Sequence, residues 1–201
     1  MPWFDFLVEV NVMIPEWNMS GVIPPIRPGL SGNHFDRSPY EATLLEFVTR
    51  FATSATRIEI IDGLLKYRRE LHSCGITKGF QWLDGSFMEM IESLEARQPA
   101  DIDVVSFFYL PDGKSQQELA VTNRNLFNST KIKMKFYVDA YTFQLGFPTD
   151  SDQAREIAYW YSMWAHRRDE IWKGFVQVDL APSEDEAAME ALTKIREGGV
   201  L

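Results

Sequence analysis

Gly79-Phe80-Gln81-Trp82-Leu83-Asp84-Gly85-Ser86-Phe87, followed by Asp101-Ile102-Asp103-Val104-Val105-Ser106-Phe107-Phe108-Tyr109, carries the strongest local pattern in the chain. The second run alternates. Asp101, Asp103, Val105, Phe107 and Tyr109 fall on one face of a strand, and Ile102, Val104, Ser106 and Phe108 on the other. Two carboxylates thus leave the same face at the head of the strand, where like charges repel unless a cation lies between them. Hard carboxylate oxygens suit Mg²⁺ or Mn²⁺. Upstream, Phe80 to Leu83 reads as a short strand that stops at Asp84-Gly85. Ser86 then opens a helical segment with Phe87, Met90, Ile91 and Leu94 at helical spacing. Glycine and serine at a helix start offer free N–H groups and a hydroxyl, which suit a phosphate.

The 201 residues predict one domain, large enough to fold without a metal or disulfide, so that any metal would serve chemistry. One cysteine, Cys74, excludes an internal disulfide framework and points to a reducing, cytoplasmic setting. The start, Trp3-Phe4-Asp5-Phe6-Leu7-Val8-Glu9-Val10, carries acids rather than a basic leader, so no signal peptide is expected. No apolar run approaches the roughly 20 residues of a spanning helix, and no membrane partner is expected. A net charge of −9 argues against bulk binding of duplex DNA.

Val8, Val10 and Val12 suggest an edge strand, and residues 1–38 form an extended arm rich in proline and glycine. Ser38-Pro39-Tyr40-Glu41 has the pattern of a helix start, with Leu44, Leu45, Phe47, Val48 and Phe51 as its buried stripe. A second helix is expected over 56–73 with Gly75 as its stop. Pro111-Asp112-Gly113 makes a turn before a helix over 115–127. Residues 132–143 alternate again, which predicts a strand with Lys133, Lys135, Tyr137, Asp139 and Tyr141 on one face. Lys131 extends that basic row, and its plainer reading is a solvated outer face. From residue 150 a helix, strand and helix follow: 150–169, a strand over 175–180, and an acidic helix opened by Ser183-Glu184-Asp185-Glu186.

Gly-Ser on a strand-to-helix turn, then Asp-x-Asp at the head of the next strand, resembles the signature of the DNA polymerase β-like nucleotidyltransferases. More of the chain is similar to small bacterial nucleotidyltransferase-like proteins: Gly21-Val22-Ile23-Pro24-Pro25, Trp82 to Phe87, Pro99 to Asp103, His166-Arg167-Arg168-Asp169 and Trp172-Lys173-Gly174-Phe175. The resemblance implies an α+β polymerase β-like nucleotidyltransferase fold, a mixed sheet with helices packed on it. It also implies Asp101, Asp103 and Asp139 as catalytic metal ligands for Mg²⁺ or Mn²⁺, with Gly85 and Ser86 cradling the phosphates of a nucleoside triphosphate. Lys133, Lys135 and Arg167 are further candidates for phosphate contacts. The implied reaction moves a nucleoside monophosphate onto a hydroxyl of RNA, protein or a small molecule. Two departures stand out: 14 residues separate Ser86 from Asp101, and Met88 and Glu89 stand where an arginine is often found. Two other functions stay open beside catalysis. One is an inactive subunit of a toxin–antitoxin or phage-defence pair that binds a protein from a neighbouring gene; the other is a nucleotide sensor without turnover. Plainer readings also stand, in which Gly85-Ser86 is an ordinary turn, Asp101 a strand cap and Asp103 a solvent-facing acid.

Overall fold

Alternating apolar residues on four strands need cover on both faces, and the computed structural model, which describes residues 14–198, supplies it with helices. The order is β1 (Tyr40–Glu41), α1 (Leu44–Phe51), α2 (Ala55–Ser73), β2 (Gly79–Asp84), α3 (Ile91–Leu94), β3 (Ile102–Phe108), α4 (Gln116–Thr122), α5 (Ser129–Phe136), β4 (Val138–Gln144), α6 (Ser151–Trp164), β5 (Val176–Asp179) and α7 (Asp185–Gly198). The fold is therefore α+β. Its one sheet has five strands in the order β1-β5-β2-β3-β4. β2 runs antiparallel to both β3 and β5, while β3 and β4 are parallel, so the sheet is mixed. The segment after residue 150 is built into it, because β5 lies between β1 and β2. The edge strand expected at Val8 to Val12 lies outside the described residues.

One face carries Leu83, Ile102, Val104, Val138 and Val176 against α1, α2, α5 and α7. The other carries Trp82, Val105, Phe107, Phe143 and Phe175 against Trp160 and Trp164 of α6. Each fully buried side chain of this size stabilises the fold by roughly 1.5–3 kcal/mol relative to exposure. β3 is buried on both faces from Val104 to Phe108, its one polar side chain there, Ser106, accepting from Gln81 at 2.8 Å, so only its first residues can carry charge without loss.

Three local expectations are corrected. Ser38 caps no helix: its Oγ accepts from Phe175 N at 2.9 Å, and Tyr40–Glu41 pairs with β5. The cap of α1 is Thr43, whose side chain forms a capping box with Glu46. Ser86 opens a 3₁₀ turn, Ser86–Met88, and only a four-residue helix follows at Ile91–Leu94. Ser183 to Glu186 makes no capping box; Pro182–Glu184 is a 3₁₀ turn, Glu184 accepts from Leu44 N, and Asp185 is taken by Arg68.

The largest correction concerns 132–143. Its first half is the helix α5, capped by Asn128, and only Val138–Gln144 is strand. Ile132, Met134 and Phe136 fit a period of two and equally an i,i+4 pair with an exposed residue between. The second arrangement is the observed one, with Ile132 and Phe136 buried and Met134 80% exposed. Tyr137, at φ 57°, turns α5 directly into β4. The helix end is seated tightly on α2, since a Cβ on Gly63 would lie 1.9 Å from Phe136 O. Boundaries elsewhere contract: α4 ends at Thr122 and α6 at Trp164.

Candidate functional site

Strand parity brings the acids together. Asp84 shares the α6 face of β2 with Trp82, Asp103 that of β3 with Val105, and Asp139 that of β4 with Tyr141. Register places them side by side, with Asp84 opposite Asp103 and Asp103 opposite Asp139, all at one end of the sheet. Asp101 precedes the strand on the same face. The sequence-predicted trio therefore converges, and Asp84, which sequence reasoning treated as a turn residue, joins it.

Two lysines flank the acids. Lys133 Nζ lies 2.8 Å from Asp101 Oδ2 and 2.9 Å from Asp139 Oδ2, bridging them from the last turn of α5. The Asp101 hydrogen bond first, and then that to Asp139, hold the Lys133 ammonium well above the ordinary lysine range. Lys173 Nζ, buried, lies 3.0 Å from Asp84 Oδ1 and 3.1 Å from Glu89 Oε1. Among the described residues no cation lies within 4 Å of Asp103. Burial, then the charges of Asp101 and Asp139, push its carboxyl up to about 6. Burial likewise raises Asp84, to about 7, against the opposing pull of Lys173. On Lys173 itself burial is outweighed by Asp84 and Glu89, which raise it.

Gly85 is the corner on which Asp103 rests. Its φ of 90° with ψ of −177° belongs to a backbone region open essentially to glycine, and a Cβ there would lie 2.0 Å from Asp103 Oδ2. The turn that follows is anchored by buried Phe87 and by Arg57, which donates to Phe87 O at 2.6 Å, to Glu89 O at 2.7 Å and to the Glu92 carboxylate. Ser86 Oγ has no hydrogen-bond partner among the described residues. Gly85→Ala is expected to cost about 1–3 kcal/mol of stability from backbone strain, and to push Asp103 out of register with Asp139. Thermal melting and metal binding of that variant check both effects.

Two candidates for phosphate contacts are engaged by other acids, Lys135 away from the cluster and Arg167 beside the Gly85-Ser86 turn through Glu89. Lys135 pairs with Glu70 at 3.0 Å, away from the acids, because α5 is helical and its two lysines diverge. Arg167 is engaged by Glu89, Glu95 and Asp169. Lys133 alone of the three basic candidates touches the predicted carboxylates. A cleft of about 280 Å³ opens one residue beyond Asp139, lined by Phe127, Ser129, Tyr141, Thr142 and Trp160. A larger one, of about 680 Å³, lies between α2 and α7 in the helical layer on the other side of the sheet.

The donor set fits a hard divalent cation: all-oxygen ligands, an uncompensated carboxylate at Asp103, and an ammonium already standing between two of the acids. As they stand, no three His, Cys, Asp or Glu side chains among the described residues are arranged to hold a metal ion, and Lys133 stands between Asp101 and Asp139. Asp101, Asp103 and Asp139 would be the ligands once that ammonium moved. No described helix is long and apolar enough to cross a membrane.

No curated protein and no solved structure matches the chain. A family profile does match, over residues 15–179, a span that includes every acid and both lysines of the cluster. The chain belongs to the family described as DUF6932, a family of unknown function.

Proposed function

We propose that the protein is a metal-dependent nucleotidyltransferase, which moves a nucleoside monophosphate from a nucleoside triphosphate to a hydroxyl acceptor. The observation that carries this reading is the side-by-side register of Asp103 and Asp139 on parallel strands, with Asp101 joined to Asp139 through one shared cation. Bound Mg²⁺ or Mn²⁺ would supply charge neutralisation for the phosphates. The chain's own groups do the rest. Asp101 and Asp103 hold the cation site at the head of β3. Gly85 and the unpartnered Ser86 hydroxyl orient the triphosphate tail at the end of β2. Asp139 lies on the acceptor side and takes the proton of the attacking hydroxyl. In this reading the cleft lined by Tyr141 and Trp160, of about 280 Å³, would serve a compact acceptor or a chain end rather than a duplex. Orientation and electrostatics dominate such transfers, which suits a site made of fixed strand ends.

Pyrophosphate release with Mg²⁺ and each of the four triphosphates tests the reading. Asp101→Ala and Asp103→Ala are expected to abolish release, by at least a hundredfold, in folded protein. Unchanged turnover in either removes that residue from the mechanism. Labelled triphosphate in a cell extract then identifies the acceptor as RNA, protein or small molecule.

The Lys133 bridge also favours a second reading, in which the ammonium replaces the metal permanently and the protein acts by binding a partner from a neighbouring gene. Absence of pyrophosphate release together with a stable complex with that gene product would select it.

A further inference from the structure

Resting on the carboxylates as a divalent-cation site, we propose that Lys133 is an exchangeable counter-ion of that site. Its ammonium holds Asp101 and Asp139 in the metal-free protein and is expelled when Mg²⁺ or Mn²⁺ enters, so that metal loading and release of this lysine are one event.

Geometry makes the two occupants exclusive. The ammonium sits within hydrogen-bond distance of one oxygen of Asp101 and one of Asp139, 2.8 and 2.9 Å away. A dication bound to those oxygens would lie against it, and like charges at contact in a half-dry site repel strongly. The exchange also runs in a favourable direction. Among the described residues Lys133 is the one cation within 4 Å of Asp101 and Asp139, and none lies that close to Asp103, so the cluster keeps negative charge that a dication answers and a lysine does not. Lys133 has a way out to solvent, since its side chain is 45% exposed and water can take up the freed ammonium. Its helix need not move, since the end of α5 is fixed by the close approach of Phe136 O to Gly63. The released ammonium therefore stays tethered beside the metal, on the side of the cluster away from Lys173. There it serves as a phosphate contact only when metal is present.

The test uses the full chain and Mn²⁺ without nucleotide. Calorimetric titration is expected to show roughly tenfold tighter Mn²⁺ binding to Lys133→Met than to the wild type, since the competitor is gone. In the wild type, acetylation by a dilute acylating reagent, followed residue by residue by mass spectrometry, is expected to modify Lys133 several-fold faster at saturating Mn²⁺. Lys66 and Lys194, which pair with acids elsewhere, should be unchanged. Equal or weaker Mn²⁺ binding in Lys133→Met, or Lys133 labelling unaltered by bound Mn²⁺, overturns the exchange while leaving the metal site intact. Failure of both wild type and Lys133→Met to bind Mn²⁺ overturns the exchange and the metal reading together. Mn²⁺ binding with the expected labelling but no pyrophosphate release upholds the exchange and removes only the nucleotidyl transfer.

Discussion

Asp103→Asn is expected to abolish pyrophosphate release and, at pH 8, to make the folded protein harder to unfold. Both effects have one cause. Asp103 stands between Asp101 and Asp139 at the head of β3, and burial together with those two charges pushes its carboxyl up to about 6. An unfolded aspartate titrates near 3.9. Between those values the native state holds a proton that the unfolded chain has lost, so stability falls as pH rises from about 4 to about 6 and stays reduced above. The deficit at pH 8 is about 2 kcal/mol, from the two-unit difference discounted for partial solvation. Asparagine keeps the shape and removes the charge. Urea unfolding of both proteins should give a stabilised variant at pH 8 and nearly equal curves at pH 4. Saturating Mg²⁺ should close the gap by stabilising the wild type alone, because bound metal adds to native stability in proportion to its occupancy. A variant no more stable than wild type at pH 8 would show that Asp103 carries no electrostatic strain.

That strain explains which parts of the site the sequence made legible. Asp101 and Asp103 were visible because an acid pair interrupts an otherwise apolar alternation, and strand parity alone then puts both on one face. Asp139 came instead from the resemblance, by its place in chain order, and the strand assigned to it began too early. The alternation of Lys133, Met134, Lys135 and Phe136 continues into Val138 without a glycine or proline to mark the break. The capping residue Asn128 and the pair Ile132 and Phe136 were the available signals for α5. With the helix in place Lys133 and Lys135 part company, one onto the carboxylates and the other onto Glu70. A row of lysines on a strand would have kept them together.

The helix expected at Ser38 failed for a different reason. Its serine meets Phe175, 137 residues away, and a tertiary hydrogen bond outweighed a local cap preference worth about 1 kcal/mol. The mixed sheet with helices packed on it was an expectation of the resemblance, while the strands on either side of Gly85-Ser86 followed from local alternation. The order of strands did not, because β5 enters beside β2 from the far end of the chain, and nothing near Val176 specifies that partner.

Lys173 shows the same limit, and its removal is the most destructive change expected in the fold. Asp84 was read as the residue before a turn and Lys173 only as part of Trp172-Lys173-Gly174-Phe175. Their parity and burial emerge once β2 and β5 pair. The Lys173 side chain is 6% exposed and its ammonium reaches Asp84 at 3.0 Å and Glu89 at 3.1 Å. Asp84 Oδ1 has no well-aligned hydrogen bond, so this contact is chiefly ionic. Lys173→Met would leave buried Asp84 without a cation and Glu89 with Arg167 alone, at 3.3 Å, and breaking a buried pair from one side costs about 3–5 kcal/mol. The loss should be greatest at high pH and shrink in acid. Without the ammonium the Asp84 carboxyl, already raised by burial, would titrate still higher in the native state, and protonation removes the uncompensated charge. Neutralising the partners as well, in Lys173→Met with Asp84→Asn and Glu89→Gln, should recover most of the stability, whereas a simple packing defect at position 173 would persist in the triple variant. Because Asp84 and Glu89 bracket Gly85 and Ser86, the single variant should also loosen that corner. Amide exchange at Ser86 and Phe87 should then quicken well beyond that at Val105 on the same sheet, and equal protection at the two places would mean that Lys173 holds the core but not the turn.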